Sequence, residues 1–143
     1  MRSSRYLLVA GAAVAACLLI TTAAEASVAV QIDPSALLLA RGAAVRLTAE
    51  VSCSAPSVDQ YLEIDLTQSR GNTVTQGYGD TESFTCDGTS QSVAVDVTPY
   101  GSPFHIGPGY AQAYLNVCHA TYKGRCISFE RAQSSAVVQV SRS

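Results

Sequence analysis

The segment NVCHATYKGRC carries the strongest chemical signal in this 143-residue sequence. Seven residues separate Cys118 from Cys126, and His119 directly follows the first cysteine. These side chains could form part of a metal site, a thiol–imidazole catalytic pair, or one disulfide bond. Zinc-binding cysteines usually have only about two to four residues between them, and a catalytic thiol needs an imidazole that faces it. Because neighbouring residues on a strand point to opposite faces, the spacing favours a disulfide, and we predict no metal and no cofactor.

Two groups of carboxylates are further candidates for chemistry. Glu63 and Asp65 alternate along one segment, and the rise of a strand would place them about 7 Å apart. Asp80, Glu82 and Asp87 form a second group, whose spacing matches no calcium-loop motif. A half-exposed strand also alternates polar with apolar residues. We therefore interpret both groups as solvated surface.

The histidines give no support to a hydrolase. The chain contains two, His105 and His119, and the strand order inferred below places them at opposite ends of the domain. The sequence contains no G-x-S-x-G, no H-E-x-x-H and no glycine-rich phosphate loop. We predict no catalytic residue and expect that the protein is not an enzyme.

The first 26 residues have the features of a secretory signal peptide. Two arginines precede an unbroken apolar run, residues 6–20, and small residues offer a cleavage site after Ala26. The run is short for a membrane-spanning helix, which needs about 20 residues. A minor alternative is lipid anchoring through Cys17, although apolar residues continue beyond it. We expect a secreted, extracellular bacterial domain, residues 27–143, without membrane contact after cleavage.

Composition narrows the class of partner. Without residues 1–26 the chain keeps seven Lys/Arg and ten Asp/Glu, a net charge of −3 with no basic block. Nucleic acid and membrane surfaces therefore have no electrostatic support as partners. Four cysteines remain, and an even number in a small exported chain predicts a disulfide framework.

Alternation of apolar and polar residues dominates the chain, and it predicts strands. Turns rich in glycine and proline separate the alternating runs, and no segment is a convincing helix. Such a pattern is typical of a single immunoglobulin-like antiparallel sandwich of about seven strands. The predicted strands are residues 28–32, 44–53, 60–68, 73–86, 91–98, 109–118 and 126–140, with breaks near 77–80 in the fourth and near Gln133 in the last.

In that topology all four cysteines lie near one end, which leaves three possible pairings. Cys53 is on the apolar face of its strand, and Cys86 shares a face with Phe84. Cys118 is on the polar face of its strand and pairs most easily across its own hairpin. We predict the bridges Cys53–Cys86 and Cys118–Cys126. The alternative bridge, Cys53–Cys118, is similar to that of antibody domains, but the chain has no tryptophan to pack against it.

The hairpin tip HATYKGR is a candidate binding element. It presents Tyr122, Lys123 and Arg125, and tyrosine and arginine are favoured at binding hot spots. A bridge between Cys118 and Cys126 would reduce the cost of ordering the tip on binding. The other interpretation is an ordinary solvated turn.

The segment PYGSPFHIGPGY between the fifth and sixth predicted strands allows two interpretations. Its aromatic side chains could form a contact surface. Phe104 and Ile106 could instead turn inward and close the end of the sandwich. The aromatic set consists of Tyr100, Phe104, His105 and Tyr110.

The signal peptide, the four cysteines, the all-β pattern and the segment FTCDGTSQSVAVDVTP resemble a group of small exported proteins of high-GC Gram-positive bacteria. This resemblance implies an immunoglobulin-like sandwich and no activity. The neocarzinostatin-like apoproteins and the secreted subtilisin inhibitors have a similar format, but the former differ in cysteine placement and the reactive-site segment of the latter has no match here.

The sequence therefore predicts a non-enzymatic binding or structural module with a protein or cell-surface partner. One alternative is a carrier of a small apolar ligand. The other is a protease inhibitor, with Lys123 or Arg125 as its specificity residue.

Overall fold

A computed structural model describes residues 28–142. The predicted signal peptide and the alternative lipid anchor at Cys17 lie outside the described residues and stay predictions. Between residues 28 and 142, none of the helical structure has the length and apolar character needed to cross a membrane.

The described chain is all-β, as predicted, and has seven strands. A single 3-10 turn, Ala40–Gly42, interrupts the order. The strands are β1 (Val28–Leu39), β2 (Ala44–Cys53), β3 (Asp59–Arg70), β4 (Thr73–Thr81), β5 (Ser90–Pro99), β6 (Gly107–Tyr122) and β7 (Arg125–Ser141).

Alternating aliphatic residues give each strand one buried face. Val45, Leu47, Ala49 and Val51 of β2 are fully buried, whereas the residues that alternate with them are partly or fully exposed. Leu62 and Ile64 of β3 follow the same rule. Since side chains point to opposite faces at successive positions of a strand, one apolar residue in two suffices to build the core.

The seven strands form one closed sheet in the order β1-β2-β5-β4-β3-β6-β7. We expected two separate layers. Two strand pairings join the expected layers into one sheet. Strands β3 and β4 pair along their whole hairpin, and β1 pairs in parallel with β7 at Ser35–Leu37. Closure follows from the length of β1, which extends to Leu39 instead of ending near residue 32 and so reaches the end of β7.

Several predicted boundaries were wrong for an identifiable reason. Strand β4 is continuous through Gly77 and Gly79 and ends at Thr81, so Cys86 lies in the following loop. A side chain at either glycine would collide with the backbone of β5. Glycine in a strand can mark such a close approach of another backbone instead of a break. Strand β7 likewise has no break at Gln133.

Both predicted disulfides are confirmed. Cys53–Cys86 ties the end of β2 to the β4–β5 loop, where the Gly88 amide also donates to the Cys53 carbonyl oxygen at 2.9 Å. Cys118–Cys126 lies within the β6–β7 hairpin. The sequence separations are 33 and 8 residues.

One large side chain closes the end of the barrel away from the disulfides. Phe104 is only 2% exposed, whereas Ile106, two residues later, is 52% exposed. Tyr100 and Tyr110 are exposed as well. Closure by Phe104 is therefore confirmed, but closure by Ile106 was wrong.

We expect that Gly77→Ala lowers the free energy of unfolding by about 2–3 kcal/mol, because inserting atoms into a packed site forces strain. The new methyl would lie 2.7 Å from the Phe104 ring and closer still to the Thr98 carbonyl oxygen. Gly101→Ala is the matched control, since no atom lies near that position, and its effect should stay within about 0.5 kcal/mol. Urea unfolding followed by tyrosine fluorescence measures both. Equal stabilities of the two variants would contradict the tight β4–β5 contact.

Removal of each disulfide tests the chain-entropy argument. Cys53→Ala with Cys86→Ala should cost about 4 kcal/mol of unfolding free energy, and Cys118→Ala with Cys126→Ala about 2.5 kcal/mol, because the longer loop gains more freedom in the unfolded chain. The same urea experiment gives both values. The opposite ranking would show that native contacts around the bridges outweigh loop length.

Candidate functional site

The β6–β7 hairpin projects beyond the rest of the sheet. The β3 ladder on β6 begins at Asp59, opposite Cys118, so residues 119–122 of β6 have β7 as their only ladder partner in the described chain. On the other side of β7, the described ladder with β1 covers only Gln139–Ser141. Within residues 28–142, no further strand pairs with the tip of the hairpin on either side.

The tip is a two-residue turn braced by the second disulfide. Tyr122 pairs with Arg125, and the residues between them, Lys123 and Gly124, have φ values of 50° and 73°. Left-handed conformations at both central positions are typical of the hairpin turns that match strand twist. The turn geometry and the Cys118–Cys126 bridge together restrict the conformations of the tip.

Cys118 is buried, although its position on the polar face of β6 predicted an outward orientation. The reason is local: Cys118 is not part of the barrel core, but the β2–β3 loop lies against this section of β6. The Val58 amide donates to the Cys118 carbonyl oxygen at 2.8 Å. Cys126, at the other end of the bridge, is exposed.

All three predicted tip residues, Tyr122, Lys123 and Arg125, are exposed. The Lys123 ammonium lies 5.4 Å from the centre of the Tyr122 ring, which is a cation–π distance. Tyr122 nevertheless keeps 62% of its surface exposed. The three side chains are thus available to a partner from one compact tip.

Two apolar residues of β7 belong to the same surface and were missed at the level of sequence. Ile127 is 66% exposed and Phe129 50% exposed. The alternation along β7 could have identified them. Val138 and Val140 point inward, so the odd-numbered residues of this strand point outward. We define the tip surface as the exposed residues Tyr122, Lys123, Arg125, Ile127, Phe129 and Arg131.

A buried polar contact positions Arg131 against the ring of Phe129. The Arg131 guanidinium lies 5.2 Å from the centre of the Phe129 ring, and its Nε donates to Asn116 Oδ1 at 2.7 Å. Asn116 is almost fully buried. A buried anchor limits the rotamers of Arg131, which in turn limits those of Phe129, so little ordering is needed when a partner binds.

His119 fastens the base of the hairpin to the β2–β3 loop. Its Nδ1 lies 2.6 Å from the Pro56 carbonyl oxygen, and since a carbonyl can only accept, Nδ1 carries the proton. Its Nε2 lies 3.2 Å from Glu130 Oε2. The hydrogen bond to Pro56 raises the pKa of His119 above its ordinary value, and Glu130 adds to this effect against the opposing effect of burial.

The carboxylates singled out in the sequence make ordinary surface contacts. The Tyr78 hydroxyl donates to Glu63 Oε1 at 3.2 Å, and burial together with the nearby Glu63 and Asp80 carboxylates raises the pKa of Tyr78 to about 12. Asp87 accepts hydrogen bonds from the backbone and hydroxyl of Thr89. Among residues 28–142, no three His, Cys, Asp or Glu side chains cluster as metal ligands would.

Comparison with models of known protein families and with curated proteins finds no match for this sequence. The proposed function therefore rests on the geometry of the tip surface alone.

The raised pKa of His119 predicts how the stability of the protein changes with pH. A histidine whose folded pKa exceeds the unfolded value of about 6.5 contributes stability that is fully present below that value and is lost as the pH rises through the folded pKa. Glu130→Gln removes the carboxylate, so the His119 pKa should fall and the stability difference from wild type should be largest in the acidic range. Histidine ring NMR titration and urea unfolding at pH 5 and pH 8 measure the two effects. A His119 pKa unchanged by Glu130→Gln would contradict the ion pair.

Proposed function

We propose that the protein is a secreted, non-enzymatic binding module that holds a protein partner on its tip surface. One observation carries the proposal: exposed aromatic and aliphatic side chains, flanked by cations, lie on a hairpin that a disulfide makes rigid. The two disulfides indicate an oxidising environment, which agrees with export.

The strand order supports an immunoglobulin-like relationship. In the constant-type immunoglobulin fold, one sheet has the order A-B-E-D and the other C-F-G. With β1 to β7 labelled A to G, the order here is A-B-E-D followed by C-F-G. We therefore propose an immunoglobulin-like sandwich whose two sheets are joined at both edges. Such domains commonly bind through loops and hairpins at one end, and the tip surface has that position.

The chemistry of the tip surface favours a partner segment that combines apolar and acidic residues. Ile127 and Phe129 supply apolar contact area, and Arg125 and Arg131 flank them on the same strand. Charge complementarity of this kind speeds encounter and suppresses wrong partners.

The two alternative functions remain predictions. A carrier of a small apolar ligand would need interior space, and the interior of the described barrel is filled by side chains such as Leu47, Ile64 and Leu115. A protease inhibitor would present Lys123 or Arg125 to its target. Neither has an observation in its favour comparable with the tip surface.

Tyr122→Ala and Phe129→Ala should each weaken partner capture by at least about tenfold, because truncation of a hot-spot aromatic costs about 2 kcal/mol or more. The thermal midpoint should change little, since both side chains are exposed. Tyr100→Ala is the matched control, a highly exposed tyrosine outside the tip surface.

The measurement is affinity capture from the native culture fluid with the wild-type protein and the three variants as baits. The supporting result is a protein held by wild type and Tyr100→Ala and lost from both tip variants. A partner held equally by all four baits would place the contact elsewhere. A bound apolar compound released from the purified protein would favour the carrier instead.

A further inference from the structure

We propose that a cleft at the end of the barrel opposite the tip surface binds a small molecule with an oxyanion group on a short apolar body. The cleft has a volume of about 570 Å³, within the range of about 300–1,000 Å³ that is typical of small-molecule sites. It lies between the 3-10 turn, the end of β3, the loop before β6 and the end of β7.

Three arginines line this cleft, and no Asp or Glu among residues 28–142 does. Arg41 comes from the 3-10 turn, Arg70 from the end of β3 and Arg142 from the residue after β7. None of the three has a carboxylate within ion-pair distance among residues 28–142, whereas Arg46 on the barrel wall is paired with Asp96 at 2.7 Å. Three like charges around one opening repel one another, and a bound anion would relieve that repulsion.

The backbone holds Arg41 at the rim in a conformation that costs free energy. Ala40, Arg41 and Gly42 all have positive φ values, 44°, 58° and 97°. Non-glycine residues in this region are uncommon, and they persist where the surroundings fix them. Phe104 provides that fixation: its amide donates to the Gly42 carbonyl oxygen at 2.9 Å, and its own carbonyl leaves no room for a side chain at position 42.

The wall formed by the loop before β6 is also fixed before any ligand binds. Gln68 is almost fully buried, and its side-chain amide makes two hydrogen bonds to the backbone of His105. Gln68 Oε1 accepts from the His105 amide at 3.0 Å, and Gln68 Nε2 donates to the His105 carbonyl oxygen at 2.9 Å. His105 borders the cleft, and its Nε2 is shielded from solvent without a hydrogen-bond partner in the described chain. Buried polar atoms normally have partners, so a polar ligand group at this wall of the cleft would supply a partner that the described protein lacks.

The remaining lining includes several apolar residues, which specify the other half of the ligand. These residues are Leu38, Phe104 and Ile106, together with two prolines. Ile106 keeps half of its surface exposed. A guanidinium fork matches the paired oxygens of a carboxylate, phosphate or sulfonate. The cleft thus combines oxyanion recognition with an apolar floor.

The test uses 8-anilinonaphthalene-1-sulfonate, an anionic fluorescent probe with an apolar body, in titrations of the purified protein. We expect saturable binding to one site that weakens with added salt. Arg41→Gln, Arg70→Gln and Arg142→Gln should each weaken binding about fivefold, the effect of losing an exposed ion pair of about 1 kcal/mol. Arg46→Gln is the matched control away from the cleft and from the tip surface, and it should leave the affinity unchanged.

Two further measurements decide what the site recognises. Inorganic phosphate should compete with the probe, and amide NMR shifts on probe addition should be centred on His105 and Gly107. N-phenyl-1-naphthylamine, which lacks the sulfonate, should bind at least about fivefold more weakly. Equal binding of both probes would show apolar adsorption only. Unchanged affinity in the three cleft variants, or shifts centred on the tip surface, would also overturn the proposal.

Discussion

The narrowness of the barrel interior is the constraint on which the rest of the molecule depends. The neighbouring strands β4 and β5 come so close that Gly77 and Gly79, at inward positions of β4, cannot carry a side chain, and Ala111 and Ala113 occupy inward positions of β6. Valine, leucine and isoleucine fill what remains, and one aromatic ring closes an end. Packing near the density of an organic crystal leaves little tolerance for added volume. The interior therefore specifies the fold and leaves recognition to the surface.

Surface chemistry is correspondingly divided between the two ends. The described chain has seven cationic side chains. Three belong to the tip surface and three to the cleft, and the seventh is paired with Asp96 on the barrel wall. Carboxylates such as Glu63 and Asp65 lie along the strands between the ends. A domain with a negative net charge thus carries six of its seven described cationic side chains at its two ends. Rigid contacts hold both groups: a disulfide at one end, and Gln68 with Phe104 at the other.

Patterns among residues close in sequence predicted the strands and the disulfide pairing. Alternation predicted the seven strands, and strand parity with chain proximity predicted both disulfides, even though the β2–β3 loop covers Cys118. Sheet closure could not be predicted, because it depends on how far β1 continues beyond Pro34. Gly77 was wrongly predicted to break its strand, because the sequence alone does not show that the backbone of β5 lies against it. The cleft was missed because Arg41, Arg70 and Arg142 are far apart in sequence, and only the shared end of three strands brings them together.

The charges around the tip surface have a consequence for how copies of this molecule meet. Exposed apolar side chains such as Ile127 and Phe129 can promote self-association. Two tip surfaces brought face to face would set Arg125 and Arg131 of each copy against the same cations of the other, and like charges at such a contact are unfavourable. The arginines would thus oppose self-association through this surface while leaving it open to a partner of opposite charge.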